Sequence, residues 1–368
     1  MLSELTASTR RLALVGLAKN TGKTVALAAL LRELHEQGRP VGVTSVGRDG
    51  EEHDVIDARI EKPSVHLPAG SLVATTDGLL RASGLPHELL EQTAVRTPLG
   101  RVLIARLRGA GTIEVAGPSA AGDIRAVSDT MLAYGAEQVL IDGAVDRRAA
   151  SSPHVANGLI MSTGAVLSHD VAEVVLQTRD AVDLVRLPNA DDGSATGRRL
   201  RELTAKPEDG AQSEASRTSM LVAEDLEAFA LPPRFVLTSD AEQISQVLDA
   251  NPTARWLTVP GAVPDRFLRS LVHPVHHRRR ELVVVVNDPT KVFLWKRGPE
   301  WYRRQGVDLQ TLNDIQLKAL TVNPIAPQSH RFDSAQLRAL LQEAITHVPI
   351  FDVLHPAYMG ARQPAPTA

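Results

Sequence analysis

With 368 residues, 43% of them hydrophobic and 23% charged, the chain is long enough for two domains or one enlarged α/β domain with a sizeable core. A net charge of −3 argues against a general nucleic-acid or membrane surface, and the absence of cysteine excludes disulfides, thiolate metal sites and cysteine nucleophiles. The opening MLSELTASTRR lacks the apolar core of a signal peptide and no apolar run is long enough to span a bilayer, so a soluble, cytoplasmic protein is expected.

The first informative stretch is residues 11–38, RLALVGLAKNTGKTVALAALLRELHEQG. The apolar run at 12–15, stopped by Gly16, reads as a buried strand. Val25, Leu27, Ala28, Leu30, Leu31 and Leu34 then fall at helical spacing, and Gly38 followed by Pro40 ends the helix. Between strand and helix lies GLAKNTGKT, which has the composition of a phosphate-binding loop. A polyphosphate needs several N–H donors at close range, so the backbone must approach it without intervening side chains. Gly22 permits that approach, and the positive end of the helix points at the phosphates. Gly16, Lys19, Asn20, Thr21, Gly22, Lys23, Thr24 and Val25 are therefore the expected nucleotide contacts. Lys23 acts as a catalytic point charge on the β- and γ-phosphates, and the Thr24 hydroxyl is a ligand for Mg²⁺.

The spacing is G-x5-G-K-T rather than G-x4-G-K-T, because Leu17 stands where the stricter pattern has glycine. A loop of this length resembles dethiobiotin synthetase and the related cobyrinic acid amide synthetases, within the broad P-loop class that also holds the ParA/MinD ATPases. The expected fold is accordingly α/β, a P-loop NTPase-like, mostly parallel sheet flanked by helices.

PVGVTSV at 40–46 reads as the second strand and runs into the acidic loop GRDGEEHD at 47–54. Two strands joined by a helix suggest a βαβ unit, which brings this loop to the same sheet edge as the phosphate loop. A carboxylate there can hold Mg²⁺ waters or orient an attacking water. The resemblance to ParA-like proteins implies an aspartate after the second strand in this role. Asp49 is the best placed, as catalytic and metal-site residue, with Glu51 and Asp54 behind it. Further on, residues 71–75 read as a strand, Thr75, Thr76 and Asp77 as a helix start, and GLPHELLEQTAV as a helix with proline in its first turn. Residues 102–107 and 112–116 read as a β-hairpin with a glycine-rich turn, and 128–135 as a helix capped by Ser128.

QVLIDGAVD at 138–146 is an apolar strand ending in Asp142-Gly143. This is a Walker B arrangement: a buried strand delivers a carboxylate for Mg²⁺ beside the phosphate loop, and Gly143 lets the backbone pass near the γ-phosphate. Asp146, Arg147 and Arg148 follow in a switch-like position. GLIMS at 158–162 is the next strand. Thr163 and Gly164 after it match in kind the small-residue turn that ParA-like proteins place near the nucleotide, and Ser168-His169-Asp170 starts a helix.

The nucleotide-binding region is expected to span 1–188, with a polar linker or mobile insertion around one short helix at 189–219. A second α/β region then covers 220–368. Its strands read at 235–238, 256–259, 282–287 and 292–295, its helices at AEQISQVLDAN and VPDRFLRSLV, and final strands at 318–322 and 348–353 flank a helix at 334–347. His273, His276 and His277 have a spacing that could supply metal ligands, but Pro274 lies among them and Arg278, Arg279 and Arg280 would repel a cation. A basic surface turn is the expectation.

GLAKNTGKT, TSVGRDGEEHD, LIDGAVDRRA and the tail pattern TVNPIAP…FD…VPIFDV together resemble the ATPase subunit of the reactivating factor for lysine 5,6-aminomutase. The resemblance implies binding and hydrolysis of ATP with Mg²⁺ to release damaged cobalamin from an adenosylcobalamin-dependent aminomutase, alongside a MutS-like partner subunit. It places Lys23, Thr24, Asp49 and Asp142 in the nucleotide site and gives partner contacts to the C-terminal half; a homodimer is also compatible with it. Two other readings stand beside it: an ATP-dependent ligase acting on a small carboxylate, and a nucleotide-binding scaffold.

Overall fold

The computed structural model describes residues 1–47, 64–143, 148–204, 218–278, 281–327 and 329–353. The chain is α/β and forms two compact units, Met1–Thr178 with Ile315–Ala368, and Arg179–Asp314. In chain order the first unit contains α1 (Leu2–Leu5), β1 (Arg11–Gly16), α2 (Lys23–Glu36), β2 (Val41–Ser45), β3 (Ser64–Leu67), β4 (Leu72–Thr76) and α3 (Asp77–Ala82). There follow β5 (His87–Thr97), β6 (Gly100–Leu107), β7 (Gly111–Glu114), α4 (Ala121–Ala133), β8 (Gln138–Gly143), β9 (Gly158–Gly164) and α5 (Val171–Val185), within which the boundary falls. The second unit holds α6 (Ala195–Thr204), β10 (Met220–Ala223), β11 (Ala228–Ala230), α7 (Phe235–Thr238), α8 (Ala241–Ala250), β12 (Ala254–Val259) and β13 (Val263–Pro264). It continues through α9 (Asp265–Arg278), β14 (Leu282–Val286), β15 (Val292–Phe293), α10 (Pro299–Arg304) and β16 (Val307–Thr311). The chain then returns to the first unit with β17 (Gln316–Asn323), α11 (Ser334–Ala344) and β18 (Ile350–Asp352).

The first unit is built on a nine-stranded sheet of order β18-β17-β9-β1-β8-β2-β4-β6-β5. The strands from β18 to β4 run parallel, and β6 and β5 close one side antiparallel. A parallel strand covered on both faces reads as a near-continuous apolar run, and a buried hydroxyl within it must be paired. Strand β9, GLIMSTG, is buried along its whole length, with Ser162 paired to Thr321 and Thr163 to Thr178, and Leu12, Leu14, Leu140 and Ile160 have no exposed surface. Helix α2 turns Leu27, Leu30, Leu31 and Leu34 into this core, each such side chain contributing about 2 kcal/mol. Glu33 is buried on the same helix because it accepts the Ser3 backbone N–H at 2.8 Å, which ties α1 to α2.

The second unit has a sheet of order β11-β10-β12-β14-β16, in which β12, β14 and β16 are parallel and β10 is antiparallel to its neighbours. Its core packs β14 against Phe267, Leu268, Leu271 and Val275 of α9 and Tyr302 of α10. Burial and then the hydrogen bond to Asp265 push the Tyr302 phenol well above its ordinary value, so it stays protonated and donates to Asp265 at 2.6 Å.

Several segments differ from the sequence reading. Strand β17 pairs with β9, and β18 with β17, in the first sheet, so residues 220–368 do not form one C-terminal region. GLPHELLEQTAV leads into β5, where pairing with β6 overrides its helix-forming leucines and glutamates. The 102–107 and 112–116 segments are not hairpin partners: β6 lies between β4 and β5, while β7 pairs with β3. Helix α4 starts at Ala121, and Ser128 sits inside it with its hydroxyl on Ile124 O rather than at a cap. Residues 235–238 are the short helix α7 rather than a strand. The basic 273–278 stretch is the end of α9 rather than a turn; Phe267, Leu268, Leu271 and Val275 bury one helical stripe, and that burial carries the helix past Pro274.

Because β17 covers β9, a fragment of residues 1–188 is expected to lack a cooperative thermal transition, and co-expression with residues 315–368 is expected to restore one. Circular dichroism melts of the two preparations check this.

Candidate functional site

Strands β2, β8, β1, β9 and β17 run parallel and end in Ser45, Gly143, Gly16, Gly164 and Asn323, so these residues share one sheet edge. The segment from Gly16 to Lys23 emerges at the middle of that edge. It is held from below by Leu17 N–H donating to Ser162 O at 2.8 Å, and internally by the Thr21 hydroxyl donating to Ala18 O at 3.1 Å. Asn20 and Gly22 adopt positive φ of 66° and 88°. Gly22 is also the residue immediately before α2; its positive φ favours glycine, and a Cβ there would lie a tight 3.1 Å from Asn323 Cβ. A Cβ on Gly16 would collide with the Thr21 hydroxyl and crowd Ala18 O at 3.1 Å.

Helix α2 starts without a side-chain cap. The N–H groups of its first turn therefore have no partner within the helix and point along the axis with the positive end of the macrodipole. Lys23, the first helical residue, is partly buried and donates from Nζ to Oδ1 of the partly buried Asp142 on the adjacent strand β8. Asp142 sits opposite Leu14 in the β1–β8 register and opposite Ser45 in the β2–β8 register. Its backbone carbonyl also accepts Val46 N–H at 2.9 Å, which ties the exit of β2 to the same residue. The Thr24 hydroxyl is exposed, as are Lys19 and Asn20, while Val25 packs partly against the core.

The edge thus brings together Gly16, Lys19, Asn20, Thr21, Gly22, Lys23, Thr24, Asp142 and Gly143. Gly143 has a packing reason to be glycine: a Cβ would meet Ala150 Cβ at 2.6 Å and Val15 Cγ1 at 3.4 Å. Asp49, Glu51, Asp54, Asp146 and Arg147 lie outside the described residues. Thr75 and Thr163 are occupied elsewhere. The Thr75 hydroxyl bridges Glu114 O and Ala116 N–H, and Thr163 shares a 2.6 Å hydrogen bond with Thr178. His273 and His276 are exposed on α9, and among the described residues no three or more histidine, aspartate or glutamate side chains gather as a metal site.

One residue at the edge had no role assigned from the sequence. Asn323, at the end of β17, donates from Nδ2 to Asn20 O at 2.8 Å and accepts Ile325 N–H at 3.0 Å. It braces the Gly16–Lys23 loop from a strand that lies some three hundred residues away in the chain. The available signal was an asparagine before proline at the end of an apolar strand, in TVNP.

No family model matches the chain, and no curated protein or solved structure matches it. Among the described residues, no helix is long and apolar enough to cross a membrane.

Asn323→Ala removes one hydrogen bond to the loop and is expected to lower stability by about 1 kcal/mol. Amide hydrogen exchange should accelerate at residues 20–22 while β1 and β8 keep their protection, and equal acceleration across the whole sheet would contradict a local brace.

Proposed function

We propose that the Gly16–Thr24 edge binds a nucleoside triphosphate, preferably ATP, with Mg²⁺, and that the protein hydrolyses it. The observation that carries this reading is the pairing of Lys23, at the start of an uncapped helix, with Asp142 on the neighbouring strand. The residues fit the ligand chemically. Open backbone N–H groups and a lysine suit phosphate oxygens, and the hydroxyl of Thr24 and the carboxylate of Asp142 are the hard oxygen donors that Mg²⁺ prefers. Bound Mg²⁺ would supply neutralisation of the charge that develops on the transferring phosphoryl group.

Lys23 and Asp142 neutralise each other, which limits the desolvation penalty of two partly buried charges. With a nucleotide and Mg²⁺ bound, Lys23 would meet phosphate oxygen and Asp142 would be available to the metal. The Gly22 turn keeps the backbone close, and Asn323 holds the loop in its donor-presenting conformation. Asp49 is proposed to orient the attacking water, on the strength of its place after β2. Hydrolysis would then change the loops after β2 and β8 and so alter affinity for a partner enzyme. The sequence resemblance supports an adenosylcobalamin-dependent aminomutase as that partner.

Single-turnover hydrolysis of ATP, with and without the candidate aminomutase, separates the readings. Turnover by the protein alone, or accelerated by the aminomutase, supports the proposal; product formed only with a small carboxylate substrate supports a ligase, and binding without product a scaffold. Lys23→Ala is expected to weaken Mg-ATP binding by about tenfold or more, since a charge-assisted phosphate contact contributes about 1.5–3 kcal/mol. Asp142→Asn should retain nucleotide binding and lose most of its Mg²⁺ dependence. Calorimetric titration with and without Mg²⁺ checks both.

A further inference from the structure

The second unit carries exposed apolar residues in a segment that also carries three cations. Trp295 is 70% exposed, Leu237 46% and Phe293 43%. They lie in one neighbourhood. Phe293 pairs with Pro264 across β13–β15, Trp295 N–H donates to Asp265 Oδ1 at 3.0 Å, and Arg266, the next residue, donates to the carbonyl of Leu237. Lys291, Lys296 and Arg297 are contiguous with the patch, and among the described residues none has a carboxylate partner. The Arg297 guanidinium lies 5.3 Å from the Trp301 ring. From 289 to 297, PTKVFLWKR, there is no acidic residue. Of the neighbouring carboxylates, Asp288 is buried and accepts from Thr290, Asp265 pairs with Arg269 and Tyr302, Glu300 pairs with Arg303 and Arg304, Asp240 caps α8 by accepting Gln243 N–H, and Asp180 packs against Gly298.

The exposure of Trp295 is fixed by its surroundings. Its backbone is pinned to the buried Asp265, which is itself held by Tyr302, and the next residue, Lys296, takes a positive φ of 63°. A non-glycine residue in that region persists only where its surroundings impose it. A backbone held in place has less freedom to lose on binding, and exposed tryptophan and arginine are the residue types enriched in protein-binding hot spots. Leu237 and Phe293 are each about half covered, so they form a shallow floor beside one projecting ring. A bilayer surface would instead call for several projecting apolar tips.

We propose that this surface docks an acidic protein segment, its apolar side chains lying on Leu237 and Phe293 against the Trp295 indole and its carboxylates meeting Lys291, Lys296 and Arg297. The proposal is independent of the nucleotide site.

The test follows tryptophan emission of the full-length protein on titration with a twelve-residue peptide alternating glutamate and leucine. A lysine–leucine peptide and a glutamate–serine peptide serve as controls, and phosphatidylcholine–phosphatidylserine vesicles and oligothymidine as competing ligand classes. The glutamate–leucine peptide is expected to shift the emission to the blue and to saturate. The shift should vanish in Trp295→Phe, which keeps Trp256 and Trp301, and should weaken about tenfold or more in Lys296→Glu/Arg297→Glu or at high salt. Both variants change exposed side chains and should melt like the wild type. No shift with the glutamate–leucine peptide, an equal shift in Trp295→Phe, an equal response to the lysine–leucine peptide, or a response to vesicles or oligothymidine alone would overturn the proposal.

Discussion

The first unit is organised around one contact, Lys23 Nζ on Asp142 Oδ1. The two residues stand 119 positions apart and meet because β1 and β8 are hydrogen-bonded neighbours that deliver their carboxyl ends to the same edge. Both side chains are partly buried, so either one left alone would be a poorly solvated charge without compensation. The pair therefore restrains the start of α2, the end of β8 and the strand pairing between them. The positive-φ turn at Gly22 is what brings the first helical residue round to face that carboxylate.

That edge draws on both ends of the chain. Strand β17 pairs with β9 over the length of both strands and puts Asn323 against Asn20 and Gly22, so the loop after β1 is supported by residues that follow the whole second unit. Residues 179–314 are thus an insertion within the first unit's sequence, with their own sheet and core. A lysine paired with a carboxylate at the start of a helix without a side-chain cap is the chemical basis of the proposed nucleotide site.

The β1–α2 segment and β8 were legible in the sequence because their determinants are local. An unbroken apolar run stopped by glycine marks a strand buried on both faces, and leucines at helical spacing mark the helix that covers it. The proximity of Lys23 and Asp142 followed from reading the apolar strand that ends in Asp142-Gly143 as a Walker B arrangement. The return of β17 and β18 was not legible, since strand pairing over such separations leaves no mark in the residues of either strand beyond their being apolar. Strand β5 was misread for a related reason: LPHELLEQTAV has helical propensity, and only the partner strand β6 decides otherwise. The short apolar run at 235–238 is too brief for periodicity to separate helix from strand. Asn323 escaped because its role lies in a contact with a distant backbone carbonyl, which its own neighbours in sequence do not announce.

The most direct test of the central claim is an amide NMR titration of the isotope-labelled protein with Mg²⁺ and a non-hydrolysable ATP analogue. The account predicts saturable shifts concentrated at the amides of Gly16 to Val25 and at Asp142 and Gly143, smaller shifts at Asn323, and loss of the pattern in Lys23→Ala. Binding that leaves those amides unmoved, or shifts confined to residues 179–314, would contradict it.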